Sequence, residues 1–362
     1  SVLGSLIYRD PVALSRLPPE PANCESFGIA SLADFTTKDM LDFDACTKCG
    51  RCHEVCPATA SGYPLSPRDL ILDLRMACKS SDDLGTPIGN IISDDVLWAC
   101  RSCGACQEIC PVGIEHPSKI VRMRRNAVDQ GRVDPLLQTA FSAIGDTGNS
   151  FGEPARKRAN WTDDLEFAVK DIRKEPADVL WFVGDYASFD PRNQKVSRTV
   201  ARLLRAANVD FGLLREGERT AGNDVRRAGE EGLYIDLVEY NLAQMASAHP
   251  FKRIVTTDPH SYNTLRNEYP EFGDVAEINH YSTVLAELLE SGQLRVSKPL
   301  GRRVTFHDPC HLGRLNGGYD APRRVLELIG CEVVEMPRNR DNSFCCGAGG
   351  GRIWIADPPG EK

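Results

Sequence analysis

Apolar positions recur at helical spacing in the first third of the chain, and the sequence predicts three helices there. They are expected over 32–41, from residue 67 onward and over 117–130. The middle helix begins at a Ser66-Pro67 pair, in which serine caps the helix and proline occupies its first turn. Its apolar face consists of Leu70, Ile71, Leu74 and Cys78. This part of the chain is therefore predicted to be helical.

Short apolar runs replace that pattern from residue 178 onward. Strands are predicted over 178–183, 209–214 and 253–257, with a helix over 194–207 between the first two. Strands that alternate with helices are typical of an α/β domain with a largely parallel sheet.

The same alternation returns near the end of the sequence. A strand is predicted over 303–307, a helix over 322–329 and a strand over 332–336. Recurrence of one pattern indicates a tandem repeat of a single α/β unit.

The predicted organisation is multidomain, with an all-α domain followed by tandem α/β domains, the second of them truncated. The predicted segments are a lead-in over 1–40, a helical domain over 41–145, a linker over 146–177, a first α/β repeat over 178–295 and a second α/β repeat over 300–362. The lead-in is Pro-rich over 17–22, which is typical of a semi-rigid linker.

Composition narrows the class of protein. The chain has 362 residues, of which 41% are hydrophobic and 26% charged, as in ordinary soluble domains. Its net charge of −8 argues against a nucleic-acid partner. We find neither a signal peptide nor a run of 18 apolar residues long enough for a membrane span. Since the sequence starts at Ser1 rather than Met, we expect a fragment or a processed product.

Two cysteine runs dominate the candidate chemistry. The first extends from Cys46 to Pro57 and the second from Cys100 to Pro111, and both follow the pattern C-x2-C-x2-C-x3-C-P. This is the run of bacterial two-cluster ferredoxins, in which the fourth cysteine ligates the other cluster. Glycine before the third cysteine gives the backbone room to turn beneath the sulfurs.

The pattern predicts two [4Fe–4S] clusters, with iron bound by eight cysteines. The first cluster is assigned to Cys46, Cys49, Cys52 and Cys110. The second cluster is assigned to Cys100, Cys103, Cys106 and Cys56. Zinc and disulfides are the alternatives; zinc sites seldom show two such triplets, and disulfides suit small secreted domains.

Other residues near these runs have a simpler interpretation. Cys24 is interpreted as an unligated thiol and Cys78 as a core residue of its helix. The basic run of Arg122, Arg124 and Arg125 is interpreted as a solvated helix face, with a docking face for an acidic partner as the alternative. The helical insert between the runs resembles the α-helical ferredoxin type of succinate dehydrogenase iron–sulfur subunits.

The second α/β repeat carries cysteines that the first repeat lacks. Cys310 follows a strand, and Cys345-Cys346-Gly347 comes 35 residues later. In the first repeat, Asp185 precedes Thr220 by the same distance. The corresponding positions of that repeat are Asp185, Thr220, Ala221, Asp258 and Ser261.

This arrangement resembles the tandem cysteine-rich "CCG" domains of heterodisulfide reductase subunits and related iron–sulfur oxidoreductases. The resemblance covers residues 41–362 and implies that a competent repeat holds an unusual [4Fe–4S] site. Cys310, Cys345 and Cys346 match its cysteines, so the resemblance implies a possible third cluster. Alanine cannot ligate iron, and Asp and Thr are hard ligands, so we interpret the first repeat as a structural relic.

A later Cys-x-x-Cys of the family does not occur before Lys362. By the spacing of the first repeat it should fall near position 383, so either the sequence is truncated or its site is incomplete. A thiol pair or a vicinal disulfide is the alternative for Cys345-Cys346. Cys331 is interpreted as core or surface, and His307 and His311 beside Cys310 as structural or as donors to a cluster.

Within the wider group, the lead-in and first run look most like the electron-transfer-flavoprotein:menaquinone oxidoreductases. The resemblance implies an electron relay from electron transfer flavoprotein, or another flavoprotein donor, toward a membrane haem and menaquinone. It also implies a place at the cytoplasmic face of the membrane, with haem b only if a membrane domain precedes this chain. No catalytic residue is assigned, because no acid/base pair or Ser/Cys–His constellation stands out.

Two functional alternatives from the same resemblance remain open, and a third comes from another class. The chain could be a heterodisulfide reductase-type catalytic subunit, which needs a complete C-terminal site. It could instead be the iron–sulfur subunit of a glycolate, lactate or glycerol-3-phosphate dehydrogenase. A scaffold with purely structural clusters would leave those clusters electronically silent toward a reductant.

Overall fold

The computed structural model describes residues 13–20, 26–80 and 84–356. Helices dominate the described residues, and the short strands among them all lie beyond residue 169. The α-helices are, in chain order, α1 (Thr37–Ala45), α2 (Arg51–Glu54), α3 (Pro57–Ala60), α4 (Pro67–Ser80), α5 (Asp94–Trp98), α6 (Ala105–Glu108), α7 (His116–Asp129), α8 (Pro135–Thr147), α9 (Asp185–Phe189), α10 (Pro191–Ala206), α11 (Asn223–Arg227), α12 (Glu231–Ser247), α13 (Pro259–Asn267), α14 (Tyr281–Glu290) and α15 (Asp320–Leu328).

The strands form two parallel sheets. They are β1 (Lys170–Asp171), β2 (Val179–Phe182), β3 (Phe211–Leu213), β4 (Arg253–Thr256), β5 (Glu277–His280), β6 (Arg303–Val304) and β7 (Glu332–Val333). Among the described residues, the larger sheet has the order β1-β3-β2-β4-β5, and β6 pairs with β7 in the smaller. Every pairing in both sheets is parallel, as the alternation of strands and helices predicts.

The chain divides into two compact units that are not simple halves of the sequence. The first unit comprises residues 1–138, 224–232 and 341–362, and the second comprises 139–223 and 233–340. The C-terminal stretch with Cys345 and Cys346 therefore belongs to the unit that contains both cysteine runs. The domain boundaries expected from the sequence remain predictions.

Helices around one apolar core form the first unit. The N-terminus of α4 is capped as expected, because the amide of Asp69 donates to Oγ of Ser66 at 3.3 Å. The predicted helices from 67 and over 117–130 correspond to α4 and α7, whereas the segment 32–41 forms a 3₁₀ turn followed by α1. Fully buried core residues include Ile29, Leu32, Ile71, Leu74 and Ile120.

The larger sheet forms the centre of the second unit. All four residues of β2 are buried, as expected for a strand with apolar side chains on both faces. Trp181 of this strand packs edge-on against Trp161, with ring centroids 5.3 Å apart. The three strands predicted over 178–257 correspond to β2, β3 and β4.

The second repeat contains less regular structure than the sequence predicts. The strands expected over 303–307 and 332–336 shorten to β6 and β7, with two residues each. Both begin with an exposed charged residue, Arg303 and Glu332, so little apolar surface is buried along them. The predicted helix over 322–329 is present as α15.

The interpretation of the arginines in α7 as a solvated face is wrong. The side chains of Arg124 and Arg125 are buried, and Arg122 is paired with Asp39 at 2.6 Å. Arg125 also forms ion pairs, with Glu20 and Glu231, which explains how a charged residue is tolerated inside the unit.

Cys24 lies outside the described residues, as do residues 21 and 22 at the end of the Pro-rich segment. Over 13–20, 26–80 and 84–356, no helix combines the length and apolar character needed to cross a bilayer.

Candidate iron–sulfur sites

The two cysteine runs adopt the same backbone conformation. Lys48 and Gly50 of the first run have φ of 60° and 82°, and Ser102 and Gly104 of the second have 50° and 75°. Each glycine precedes a one-turn helix, α2 or α6, that carries the third cysteine of its run. Left-handed backbone before the helix turns the chain around the space that the sulfurs face.

In the first predicted ligand set, Cys110, the fourth cysteine of the second run, lies near the first three cysteines of the first run. Burial, together with the nearby thiols of Cys110, Cys46 and Cys49, raises the pKa of Cys52 to about 12. These four thiols thus lie within electrostatic range of one another. Cys49 is exposed and Cys46 and Cys110 are partly buried, so this set reaches the protein surface.

The second predicted set is more deeply buried. Cys56, Cys100, Cys103 and Cys106 line one small cavity, closed on its apolar side by Ala58, Leu65 and Ile120. Burial raises the pKa of Cys106 well above its ordinary value, and Cys100, Cys103 and Cys56 add to the shift. The crossed pairing expected of a two-cluster ferredoxin is therefore present as a spatial arrangement, while the binding of iron by these residues remains a prediction.

Disulfides do not explain these cysteines. None of the thirteen cysteines in the described part of the chain forms a disulfide. Within the same residues, no three His, Cys, Asp or Glu side chains are close enough to bind a single metal ion. A cubane takes one thiolate at each of its irons, so its ligands surround a larger space than the ligands of a lone zinc ion.

The surroundings of the second set are suited to an anionic group that contains sulfur. Oγ of Ser102 is buried without a hydrogen-bond partner in the part of the chain that the structure describes. The guanidinium of Arg124 is also buried and donates to the carbonyl of Cys100 at 2.7 Å. Burial lowers the pKa of Arg124 to about 10, and Cys100 opposes that shift. A thiolate-bound cluster supplies both an acceptor for such a hydroxyl and the negative charge that this cation needs.

Backbone amides already point at several thiols. The amide of Ser102 donates to Sγ of Cys100 at 3.3 Å, and that of Ile114 donates to Sγ of Cys110 at 3.5 Å. Hydrogen bonds to cysteine sulfurs are one of the means by which a protein sets the potential of a cluster. The sequence spacing alone did not reveal these donors.

The three cysteines of the possible third site are distributed over both units. Cys345 and Cys346 lie in the first unit, where the amide of Gly347 donates to Sγ of Cys345 at 3.3 Å. Cys310 is buried in the second unit, with its Sγ 3.3 Å from Nδ1 of His311. The ring of His311 lies 4.1 Å from that of His260, and its Nε2 is 3.3 Å from Asn223. A third cluster remains a prediction.

An ion-pair network fills the corresponding position of the first repeat. Asp185 accepts hydrogen bonds from Nη2 of Arg158 at 2.9 Å and from the amide of Ser150 at 2.9 Å. Arg158 also contacts Glu218 at 3.1 Å. Glu218 accepts in turn from the amides of Val183 and Gly184 at the end of β2. Sequence reasoning missed Arg158 and Glu218, because only the fold brings them to Asp185.

The remaining first-repeat positions also have structural partners. Asp258 caps α13 by accepting from the amides of His260 and Ser261. The amide of Thr220 donates to the carbonyl of Gly148 at 2.8 Å. The carbonyl of Ala221 accepts from the hydroxyl of Tyr269 at 3.2 Å.

The two other cysteines pack as apolar residues. Cys78 is partly buried and packs against the core of the first unit, and Cys331 is buried at the start of β7. Neither is among the thiols gathered at the two predicted cluster sites. Both positions agree with the interpretation from sequence.

Two family descriptions match this chain. A "4Fe-4S dicluster domain" matches residues 42–114, which contain both cysteine runs. A "Cysteine-rich domain" matches residues 179–266 and again residues 304–358, which correspond to the two α/β repeats. Both descriptions support [4Fe–4S] clusters, and the second supports the tandem repeat.

Curated relatives of the chain carry related names. The "Probable iron-sulfur-binding oxidoreductase FadF" of Bacillus subtilis (strain 168) is 38% identical, over 93% of this chain and 55% of the relative. The "EtfAB:quinone oxidoreductase" of Syntrophomonas wolfei is 37% identical, over 92% of this chain and 51% of the relative. This chain spans about half the length of these two proteins.

A third relative is covered over most of its length. It is one of the subunits of the dihydromethanophenazine:CoB–CoM heterodisulfide reductase of Methanosarcina mazei, and it is 31% identical over 88% of this chain and 81% of the relative. No solved structure matches the chain.

Proposed function

We propose that this chain, which belongs to the family of iron–sulfur oxidoreductases that includes the heterodisulfide reductase relative, is an electron relay. It would carry electrons from a reduced flavoprotein toward a membrane haem and quinone pool. In this role the chain is an oxidoreductase with two [4Fe–4S] clusters. The polypeptide holds and tunes the clusters and has no acid/base chemistry of its own.

One observation supports this proposal more than any other. Each cysteine run is joined by the fourth cysteine of the other run, as the interactions of Cys52 with Cys110 and of Cys106 with Cys56 indicate. The two thiol sets are therefore interlocked within a single unit. Clusters bound there supply one-electron transfer over a short distance.

Exposure favours the first set as the place where a donor approaches. Cys49 is exposed, and so are its neighbours Lys48 and Arg51. The corresponding residues Cys103, Ser102 and Ala105 of the second run are buried. A protein donor can thus come close to the first set, whereas the second set is buried.

The names of relatives suggest the electron donor and the electron acceptor of the proposed relay. EtfAB in the name of the Syntrophomonas protein points to electron transfer flavoprotein as the donor, and quinone points to a lipid-soluble acceptor. Since this chain spans about half of that relative, haem and quinone would be bound by a membrane domain or subunit. This chain would then lie at the cytoplasmic face of the membrane.

The proposal is tested by iron and sulfide analysis of the intact protein under anaerobic conditions, followed by reduction with electron transfer flavoprotein. We expect about eight iron atoms per chain and reduction of both clusters, detected by EPR spectroscopy. Iron close to zero, or clusters that dithionite reduces but no flavoprotein does, would reject the relay.

The same analysis tests the third site. About twelve iron atoms, with a signal that disappears in Cys345→Ser, would establish a cluster at Cys310, Cys345 and Cys346. That result would favour disulfide reduction as the activity, by analogy with the Methanosarcina relative. About eight iron atoms per chain would mean that no third cluster is bound, and the electron relay would be the only activity proposed.

A further inference from the structure

The first cysteine of each run accepts a hydrogen bond from an arginine. Nη1 of Arg75 donates to the carbonyl of Cys46 at 3.0 Å. Nη2 of Arg124 donates to the carbonyl of Cys100 at 2.7 Å. The two runs thus have matching arginines at their first cysteines, and these two arginines differ in their surroundings.

Arg75 is partly exposed and has a carboxylate nearby. Its side chain is 26% exposed, and its Nε lies 4.0 Å from Asp44. Water and this carboxylate both weaken the field of the guanidinium at the first set.

Arg124 is fully buried, and all of its hydrogen-bond partners are backbone carbonyls; its guanidinium also lies 5.0 Å from the centre of the Trp98 ring. Its side chain donates to the carbonyls of Leu97, Cys100, Arg227 and Gly350. No carboxylate is among its partners in the described residues. A buried cation without an anion is expensive, so its charge remains available to a negative group beside it.

The second run contains a further buried cation. Arg101, within the second run, is 7% exposed and donates to the carbonyl of Ala99. Its guanidinium lies 4.0 Å from the centre of the Tyr63 ring. Arg101 likewise has no carboxylate partner in the part of the chain that the structure describes.

We propose that Arg124 and Arg101 hold the reduction potential of the cluster at Cys56, Cys100, Cys103 and Cys106 above that of the cluster at Cys46, Cys49, Cys52 and Cys110. Reduction adds one negative charge to a cluster, so a nearby unscreened cation stabilises the reduced form. Electrons that arrive at the exposed first set then pass to the buried second set. The inference rests on the relay function proposed above and gives that relay a direction.

Burial acts in the opposite direction. A buried site disfavours the more negative, reduced form, and the second set is the more buried of the two. The proposed order of potentials therefore requires the two arginines to outweigh desolvation. This competition makes the sign of the difference a decisive result.

The test is a redox titration of the full chain with both clusters loaded, followed by EPR spectroscopy. Arg101→Gln and Arg124→Gln remove a cation at the second set, Arg124→Lys keeps it, and Arg75→Gln is the matched control at the first set. We expect Arg101→Gln and Arg124→Gln to shift the higher potential to more negative values. We expect Arg75→Gln to shift only the lower potential, and by less.

Three outcomes would overturn the proposal. They are a shift of the lower potential in Arg101→Gln and Arg124→Gln, no shift in either variant, and a shift in Arg124→Lys as large as in Arg124→Gln. If Arg124→Gln fails to retain about eight iron atoms, the result for Arg101→Gln decides whether the proposal holds. The Arg101 side chain has a single carbonyl partner, so its substitution removes fewer structural hydrogen bonds. Failure of the relay function can be told apart from failure of the proposed order of potentials, because flavoprotein would then reduce neither cluster in the unmodified chain.

Discussion

Nη2 of Arg158 donates to Oδ1 of Asp185 at 2.9 Å, and both side chains are buried at the end of β2. Asp185 stands where a competent repeat has a cysteine, so the first repeat has an ion pair at a ligand position. Glu218 completes the network by binding Arg158 and two backbone amides. The network gives partners to the buried Asp185 carboxylate and to the backbone amides at the end of β2. This supports the interpretation of the first repeat as a structural relic.

Removal of Arg158 should therefore destabilise the second unit without changing the iron content. Arg158→Met leaves Asp185 and Glu218 buried without their cation, which typically costs about 3–5 kcal/mol. We expect a lower denaturation midpoint and the same iron content per chain as in the unmodified protein.

The matched control is Arg202→Met, which breaks an exposed pair with Glu166. That substitution should leave the denaturation midpoint almost unchanged, because an exposed ion pair contributes little to stability. Loss of iron in Arg158→Met, with the second unit still folded, would show that the first repeat contributes to a cluster site.

The crossed arrangement of cysteines gives a second prediction. Cys56→Ser should remove or alter the same EPR signal as Cys103→Ser, although Cys56 belongs to the other run. Cys110→Ser should likewise act on the signal that Cys49→Ser affects. Each substitution replaces one of four thiolates at a cluster by a harder oxygen ligand.

Cys78→Ser serves as the control for these variants. Cys78 packs against the core of the first unit and is not among the thiols of either set, so its substitution should leave iron content unchanged. If Cys56→Ser acts on the same signal as Cys49→Ser, the two runs bind their clusters independently and the assignment is wrong.

Local spacing explains why the cysteine runs were predictable. Three thiols within seven residues are brought together by the chain itself, whatever the rest of the fold does. The short strands β2, β3 and β4 were predictable for a similar reason, because their apolar residues are contiguous.

Arg124 shows where local reasoning ends. A basic residue in a helix is usually exposed, and nothing near it in the sequence indicates otherwise. Its partners are the carbonyls of Leu97 and Cys100, more than 20 residues away, and that of Gly350, 226 residues away. Burial of this kind depends on long-range contacts that hydrophobic periodicity does not encode.

The buried imidazole of His116 predicts a pH dependence of stability. Burial, with a smaller contribution from the charge of Lys119, lowers the pKa of His116 to about 3. An unfolded chain restores the ordinary value near 6.5, so the unfolded state binds more protons between these two values. Stability should therefore fall as pH decreases below about 6.5, with this residue contributing on the order of 1 kcal/mol per pH unit.

His116→Gln isolates that contribution, because glutamine does not titrate. Denaturation midpoints measured from pH 8 to pH 5 should fall less steeply in the variant than in the unmodified chain. Parallel curves would mean that His116 is not held neutral in the folded protein.

Gly350 brings the C-terminal segment against the second cysteine run. Its φ is +64°, and a Cβ at this position would lie 2.9 Å from the carbonyl oxygen of Cys100 and 3.1 Å from Nη1 of Arg124. Gly350→Ala should therefore push apart the contacts by which Arg124 joins Cys100 to Gly350. We expect a lower denaturation midpoint and faster release of iron to a ferrous chelator.

Gly131→Ala separates this close approach from backbone strain. Gly131 has a similar φ of +70°, but no atom lies within 4 Å of the position that a Cβ would take there. Both variants carry the strain of a left-handed alanine, about 1 kcal/mol, and only Gly350→Ala adds the steric conflict with Cys100 and Arg124. Equal iron release from the two variants would show that the C-terminal segment does not support the second cluster site, whereas faster release from Gly350→Ala alone would show that it does.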